Sequence, residues 1–245
     1  MEYTKVSPFL SIAIPTMRRW SFLKDSLPLM LERPEVGEVI VCDETGEDAQ
    51  QIQTHLRNSK LRVVCNTQRL GIYHNKRKAL SLATYPLVAV LDSDNVFLDS
   101  WFDVLSDAVK EKGYGCMYGS PMFKSIHTES GKVWQPCKQF ANLLLHKANW
   151  NALFQQQYWN HLLNDGNWVV PKECIQCLPE VVPPGYVEGA TYCDALYMLR
   201  CFIVGGYKIW YVPDLEYNHL VHAESSWLTR EVPSNAAIAT TRWSV

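Results

Sequence analysis

Asp92-Ser-Asp94 closes the apolar run Val88-Ala-Val-Leu91 and sets two carboxylates one residue apart where a buried strand would open to solvent. Burying an aspartate is costly unless it is paired or holds a metal, so this placement needs a chemical reason. Side chains two apart on an extended chain share a direction. Two hard oxygens aimed at one spot suit Mg²⁺ or Mn²⁺, ions that also clamp a substrate's phosphates. Other polar residues follow three more apolar runs: Pro15-Thr16 with Arg18 and Arg19, Asp43-Glu44, and Asn66-Thr67-Gln68-Arg69. Asp43 and Glu44 also suit a solvated turn before Thr45-Gly46, and Asp194, just ahead of an apolar-periodic helix, also suits an N-cap. Capping would stabilise its charge and weaken it as a base. His219 and His222 stand three apart, a spacing for a helical face or for a loop approaching a metal.

These residues need elements to hold them. Apolar runs at Leu10–Ile14, Glu38–Cys42, Leu61–Cys65 and Leu87–Leu91 are each long enough for a strand. Between them Leu23, Leu27, Met30 and Leu31, then Ile52 and Leu56, then Lys76, Ala79, Leu80 and Ala83 repeat at helical spacing. Alternating strands and helices predict βαβ units and a parallel sheet, which binds ligands at the carboxyl ends of its strands. A fourth helix follows through Trp101, Val104, Leu105 and Ala108, then a strand at Tyr114–Tyr118. From Phe123 to Gly189 the pattern is irregular, as in functional loops and lids. A helix through Ala195, Met198, Leu199 and Phe202, stopped by Gly205-Gly206, and a strand at Tyr207–Val212 complete the order, with a tail from Ser225. With no repeats or clear linker, residues 1–245 read as one α/β domain.

Composition narrows the class. The 245 residues are 47% hydrophobic and 20% charged, ordinary for a globular protein. A net charge of −2 gives no global basic field for nucleic acid. No apolar stretch reaches the roughly 18 residues of a membrane span, and Met1-Glu-Tyr-Thr-Lys5 lacks the features of a signal peptide. A cytoplasmic protein with reduced thiols is expected from this and from eight scattered cysteines. Cys174-x-x-Cys177 has no second pair at zinc spacing and reads as free thiols. The Gly-x-Gly-x-x-Gly turn of dinucleotide folds is absent after the first strand, which argues against NAD or FAD.

Taken in order, these motifs resemble the inverting GT-A glycosyltransferases, above all glycosyltransferase family 2. Leu10-Ser-Ile-Ala-Ile-Pro-Thr16 is similar to the family's opening strand, and Glu38-Val-Ile-Val-Cys-Asp-Glu44 to its second, whose acidic pair reads the base. Gly71-Ile-Tyr-His-Asn-Lys-Arg-Lys-Ala79 resembles the segment whose basic residue, here Lys76, faces the nucleotide. Leu91-Asp-Ser-Asp-Asn95 matches the metal motif. Gly166-Asn-Trp-Val-Val-Pro-Lys172 resembles the donor-sugar and acceptor loop, and Tyr192-Cys-Asp-Ala-Leu-Tyr-Met-Leu-Arg200 the catalytic segment. Cys193 stands where the family often has Glu, Glu44 where it has Asp, and Lys76 where Arg is commoner. Those departures leave the base open.

The resemblance implies a GT-A fold, a Rossmann-like, mostly parallel central sheet flanked by helices with an irregular acceptor-side elaboration. Residues 1–122 would bind the nucleotide sugar and 123–245 the acceptor. Asp194 would be the general base. Pro15, Thr16, Asp43, Glu44, Lys76, Asp92 and Ser93 would hold the nucleotide, Asp94 and His219 an Mn²⁺ or Mg²⁺ ion, and Gly166, Asn167 and Trp168 the donor sugar or acceptor. The expected reaction is metal-dependent, inverting transfer from a nucleoside-diphosphate sugar, UDP-sugar favoured, to a hydroxyl of a glycan or other glycoconjugate. Nucleic acid enters only as an acceptor, through a modified base. A sugar-nucleotide pyrophosphorylase and a non-catalytic nucleotide- or glycan-binding module stay open as rivals.

Overall fold

The computed structural model describes residues 7–134, 138–156, 162, 168–182 and 193–223. The chain opens with β1 (Leu10–Thr16), α1 (Trp20–Glu32), β2 (Val36–Asp43), α2 (Glu47–His55), β3 (Leu61–Cys65), α3 (Ile72–Ser81) and β4 (Leu87–Val90). It continues through β5 (Asn95–Phe97), α4 (Asp99–Lys112), β6 (Met117–Gly119), β7 (Met122–His127), β8 (Val133–Trp134), β9 (Leu144–Leu145) and α5 (Trp150–Leu153). The last described elements are β10 (Trp168–Pro171), α6 (Cys193–Val204), β11 (Ile209–Tyr211) and β12 (Glu216–Val221).

Strand periodicity explains how both faces of the first sheet are covered. Ala13, Ile40, Cys42, Val88 and Val90 pack with α3 and α6 on one face. Their neighbours Ile12, Ile14, Val39, Val41 and Ala89 pack with α1 and α4 on the other. Successive strand residues point to opposite faces, and a parallel sheet wrapped by helices needs both apolar. The sheet order is β3-β2-β1-β4-β10-β6-β11-β9. Its first four strands are mutually parallel, as the βαβ reading predicts.

Beyond β4 the sheet changes character. β10 enters antiparallel between β4 and β6. The segment expected to be a donor-sugar and acceptor loop is in part this central strand, because Trp168, Val169 and Val170 are apolar enough to be buried on both faces. At Gly119 on β6, an added Cβ would lie 2.7 Å from the Tyr211 ring, so only glycine allows this approach.

A second sheet, ordered β5-β12-β7-β8, was not legible in the sequence. β12 carries His219 in an alternating buried pattern, which replaces the expected helical face or loop. Among the described residues no helix is long and apolar enough to cross a membrane.

Candidate active site

The carboxyl ends of β1, β2 and β4 meet at one rim, and side chains there also finish the helices. α1 has no side-chain cap of its own. Asp48, on α2 and 1% exposed, serves instead, accepting from Arg19 N and Trp20 N at 2.8 Å and from Thr16 Oγ1 at 2.6 Å. α2 begins after Gly46, which has a positive φ of 84° and no side chain to offer. Asp43 fills that gap from the end of β2, accepting from Thr45 N and Ala49 N, each at 2.9 Å. Its side chain is fully buried. Both Asp43 oxygens build the β2–α2 turn, and none of its surface reaches solvent. Glu44 accepts from Leu70 N at 2.7 Å and holds the loop that leads into α3. Thr16 is buried on Asp48, whereas Pro15 keeps some exposure at the rim.

After β4 the chain turns sharply, with Asn95 N–H donating to Asp92 O at 2.9 Å. This turn separates the two carboxylates expected to share one spot. Asp92 Oδ1 lies 2.9 Å from Lys76 Nζ, whereas Asp94 Oδ2 lies 3.0 Å from His222 Nε2 and 3.9 Å from Arg19 Nε. Ser93, between them, is buried.

Lys76 also reaches Asp194. Its Nζ stands 2.8 Å from Asp194 Oδ2, close enough for a full ion pair though not aligned as a hydrogen bond. Burial alone would lower the Lys76 ammonium, but the carboxylates of Asp194 and Asp92 outweigh it and hold the group above its ordinary value. Asp194 lies in the first turn of α6, where negative charge suits the helix dipole.

Burial likewise would raise Asp94, yet the hydrogen bond from His222 and the charges of His219 and Arg19 hold it below the usual carboxylate range. An ionised Asp94 only accepts, so His222 Nε2–H donates to it. The Phe22 ring packs against that imidazole, its centroid 4.8 Å away. His219 is lowered by burial, against the pull of Asp94 and Asp92. Its Nδ1 lies 2.9 Å from Asn95 Oδ1. With the amide oxygen facing it, Nδ1 is the nitrogen that carries the proton.

Asp94 and His219 thus offer a hard oxygen and an imidazole nitrogen. Among the described residues no three metal-ligating side chains converge. Such a pair fits a divalent ion whose coordination is completed by substrate phosphates and water, not one caged by protein.

The Trp168 indole is 2% exposed and packs edge-on to Phe202 in the core. Gly166 and Asn167 lie outside the described residues. Sequence reasoning named Arg19 and His222 without assigning them a partner, and it left out Asp48. Their partners carried no local signal, because each acts across a distant pairing.

The family model for Glycosyl transferase family 2 matches residues 11–165. The chain belongs to glycosyltransferase family 2. The match takes in Lys76, Asp92 and Asp94 and stops short of Asp194 and His219. No curated protein matches this chain. Among solved structures it is similar to S. aureus TarS 1–349, with 15% identity and a TM-score of 0.64 over 95% of this chain and 63% of that chain. The same S. aureus TarS fragment in complex with UDP-GlcNAc gives a TM-score of 0.67 at 15% identity, over 94% of this chain and 64% of that one. Its complex with UDP gives 0.61 at 16% identity, over 87% and 60%. The chain therefore spans less than two thirds of each of these structures. At such identities the likeness is one of fold, and the fold is GT-A.

Proposed function

We propose that this glycosyltransferase moves a sugar from a nucleoside-diphosphate sugar, with UDP as the favoured carrier, to an acceptor hydroxyl with inversion. The observation that carries the reading is the single buried ammonium of Lys76, which joins Asp92 of the strand-end motif to Asp194 on α6. It joins a second carboxylate, that of Asp194, to the rim where an open α/β sheet binds nucleotides. The UDP-GlcNAc complex of a protein with the same fold supports the choice of donor.

Asp194 takes the proton of the acceptor hydroxyl as its oxygen attacks the anomeric carbon, and the bond to the diphosphate breaks with its electron pair leaving on phosphate. A positioned base contributes about 10²- to 10⁴-fold. Asp94 and His219 would hold Mn²⁺ or Mg²⁺, which supplies Lewis-acid stabilisation of the leaving charge. Pro15, Thr16, Glu44, Asp92 and Ser93 form the rim for base and ribose. Gly166 and Asn167 are assigned to the donor or acceptor.

A panel of nucleoside-diphosphate sugars with Mn²⁺, read as release of the nucleoside diphosphate, tests this and names the donor. Asp194→Asn should keep donor affinity and lose turnover by about 10²- to 10⁴-fold. Near-normal turnover in that variant would remove the base assignment. Release of pyrophosphate from a nucleoside triphosphate would replace the transferase reading with a pyrophosphorylase.

A further inference from the structure

We propose that Lys76 acts as the positioning residue of Asp194 and governs turnover through it, instead of binding the nucleotide. This rests on the assignment of Asp194 as the base.

The Lys76 side chain is 6% exposed, and its nitrogen lies 2.9 Å from Asp92 and 2.8 Å from Asp194. An ammonium has three N–H donors. With two carboxylates at contact distance and almost no open surface, it has little left to offer a ligand.

The element carrying Lys76 is anchored on several sides. Asn75 Nδ2, one residue before it, donates to Cys42 O of β2 at 3.0 Å. Tyr73 OH donates to Pro179 O at 2.8 Å and Arg77 Nε to Leu178 O at 3.1 Å. α3 is thereby fixed both to the sheet and to the chain at Leu178 and Pro179.

α3 and α6 then meet in two contacts of matched spacing. Tyr73 lies three residues before Lys76, and Tyr197 three residues after Asp194, so each pair shares a helix face. The two tyrosine rings are 5.4 Å apart between centroids. The ring contact sets the separation of the helices, and the ion pair sets the direction of the Asp194 carboxylate. Because the same ammonium holds Asp92, it also fixes the spacing between the base and the donor rim. A misplacement of about 1 Å in such a group can cost on the order of 10²-fold in rate.

The test uses UDP-GlcNAc with Mn²⁺ and water as the acceptor, in the wild type, Lys76→Met, Asp194→Asn and the double variant. Water's oxygen attacks the anomeric carbon, its proton passes to Asp194, and the departing electron pair leaves with UDP. Lys76→Met is expected to lower kcat by about 10- to 100-fold with KM changed less than about threefold. In the Asp194→Asn background the same change should alter kcat by less than about twofold, because the two residues act as one unit. Lys76→Arg, which keeps the charge, should stay within about tenfold of wild type. Lys76→Gln replaces the Met variant if that protein does not fold, with the same expected split.

A raised KM at unchanged kcat would make Lys76 a nucleotide ligand and overturn the proposal. So would a full loss in the Asp194→Asn background. If Asp194→Asn alone keeps wild-type kcat, or the wild type releases no UDP, the underlying reading of the site fails instead.

Discussion

His219 Nδ1 lies 2.9 Å from Asn95 Oδ1, across a strand pair whose members stand 124 residues apart in the chain. This contact of β12 with β5 is what brings the last histidines to the strand-end motif. β5 begins one residue after Asp94, so the partner strand is locked to the motif by backbone hydrogen bonds as well. His222, just past the end of β12, then reaches Asp94 itself.

Asp94 is the residue on which metal dependence should turn. Asp94→Ala removes the proposed oxygen ligand and leaves His222 without its acceptor. Mn²⁺ should no longer strengthen UDP binding, with a loss of at least about tenfold. Isothermal titration of UDP with Mn²⁺ and with EDTA measures it, and equal affinities in the variant and the wild type would end the assignment.

Asp48 should matter for stability more than for chemistry. It is almost fully buried and accepts from two backbone N–H groups and the Thr16 hydroxyl. Asp48→Ala leaves those donors without an acceptor and the end of α1 uncapped, at a cost of about 3 kcal/mol. Urea unfolding would show a lower midpoint at an unchanged slope, and a midpoint within error of wild type would contradict the role.

Glu38 predicts an acid-side loss of stability. Burial would raise its carboxyl, but hydrogen bonds from Thr84 and Ser11 outweigh that and hold it below its ordinary value. A lowered folded-state value favours the native state fully above the unfolded value of about 4.3 and loses that contribution as pH falls through the folded one. Melting temperatures from about pH 6 to pH 3 should therefore fall more steeply in the wild type than in Glu38→Gln. Parallel curves would remove Glu38 from the acid response.

Thiol reactivity should follow burial. Cys42 is fully buried and burial pushes its thiol up to about 11, and Cys174 is raised by the same cause, whereas Cys65 is exposed. At pH 8 iodoacetamide should modify Cys65 and leave Cys42 and Cys174 intact until the protein is unfolded. Peptide mass spectrometry reads the order, and labelling of Cys42 before Cys65 would contradict it.

Much of the amino-terminal half was legible. The runs that became β1, β2, β3 and β4 are short, apolar and separated by helical spacing, so period and length identified them. The polar groups at their ends followed from the rule that parallel sheets bind ligands there. Asp43 shows what that logic leaves undecided. An aspartate at a strand end can face a ligand or cap the next helix, and only the positive φ at Gly46 shows that the α2 turn needed it. Trp168 carries a related ambiguity, since Gly-Asn before it looks like a loop while Trp-Val-Val-Pro fills a gap in the sheet.

The sequence by itself determined the alternating strands and helices, the parallel half of the sheet and the row of polar residues along its rim, because these follow from periodicity over a few residues. The tertiary structure decided which cation each carboxylate meets. A tight turn at Asp92–Asn95 sends Asp92 to Lys76 and Asp94 to His222 and Arg19, and the pairing of β12 with β5 supplies the histidines. Those choices depend on strand register and helix packing between distant segments, and local residue spacing does not encode them.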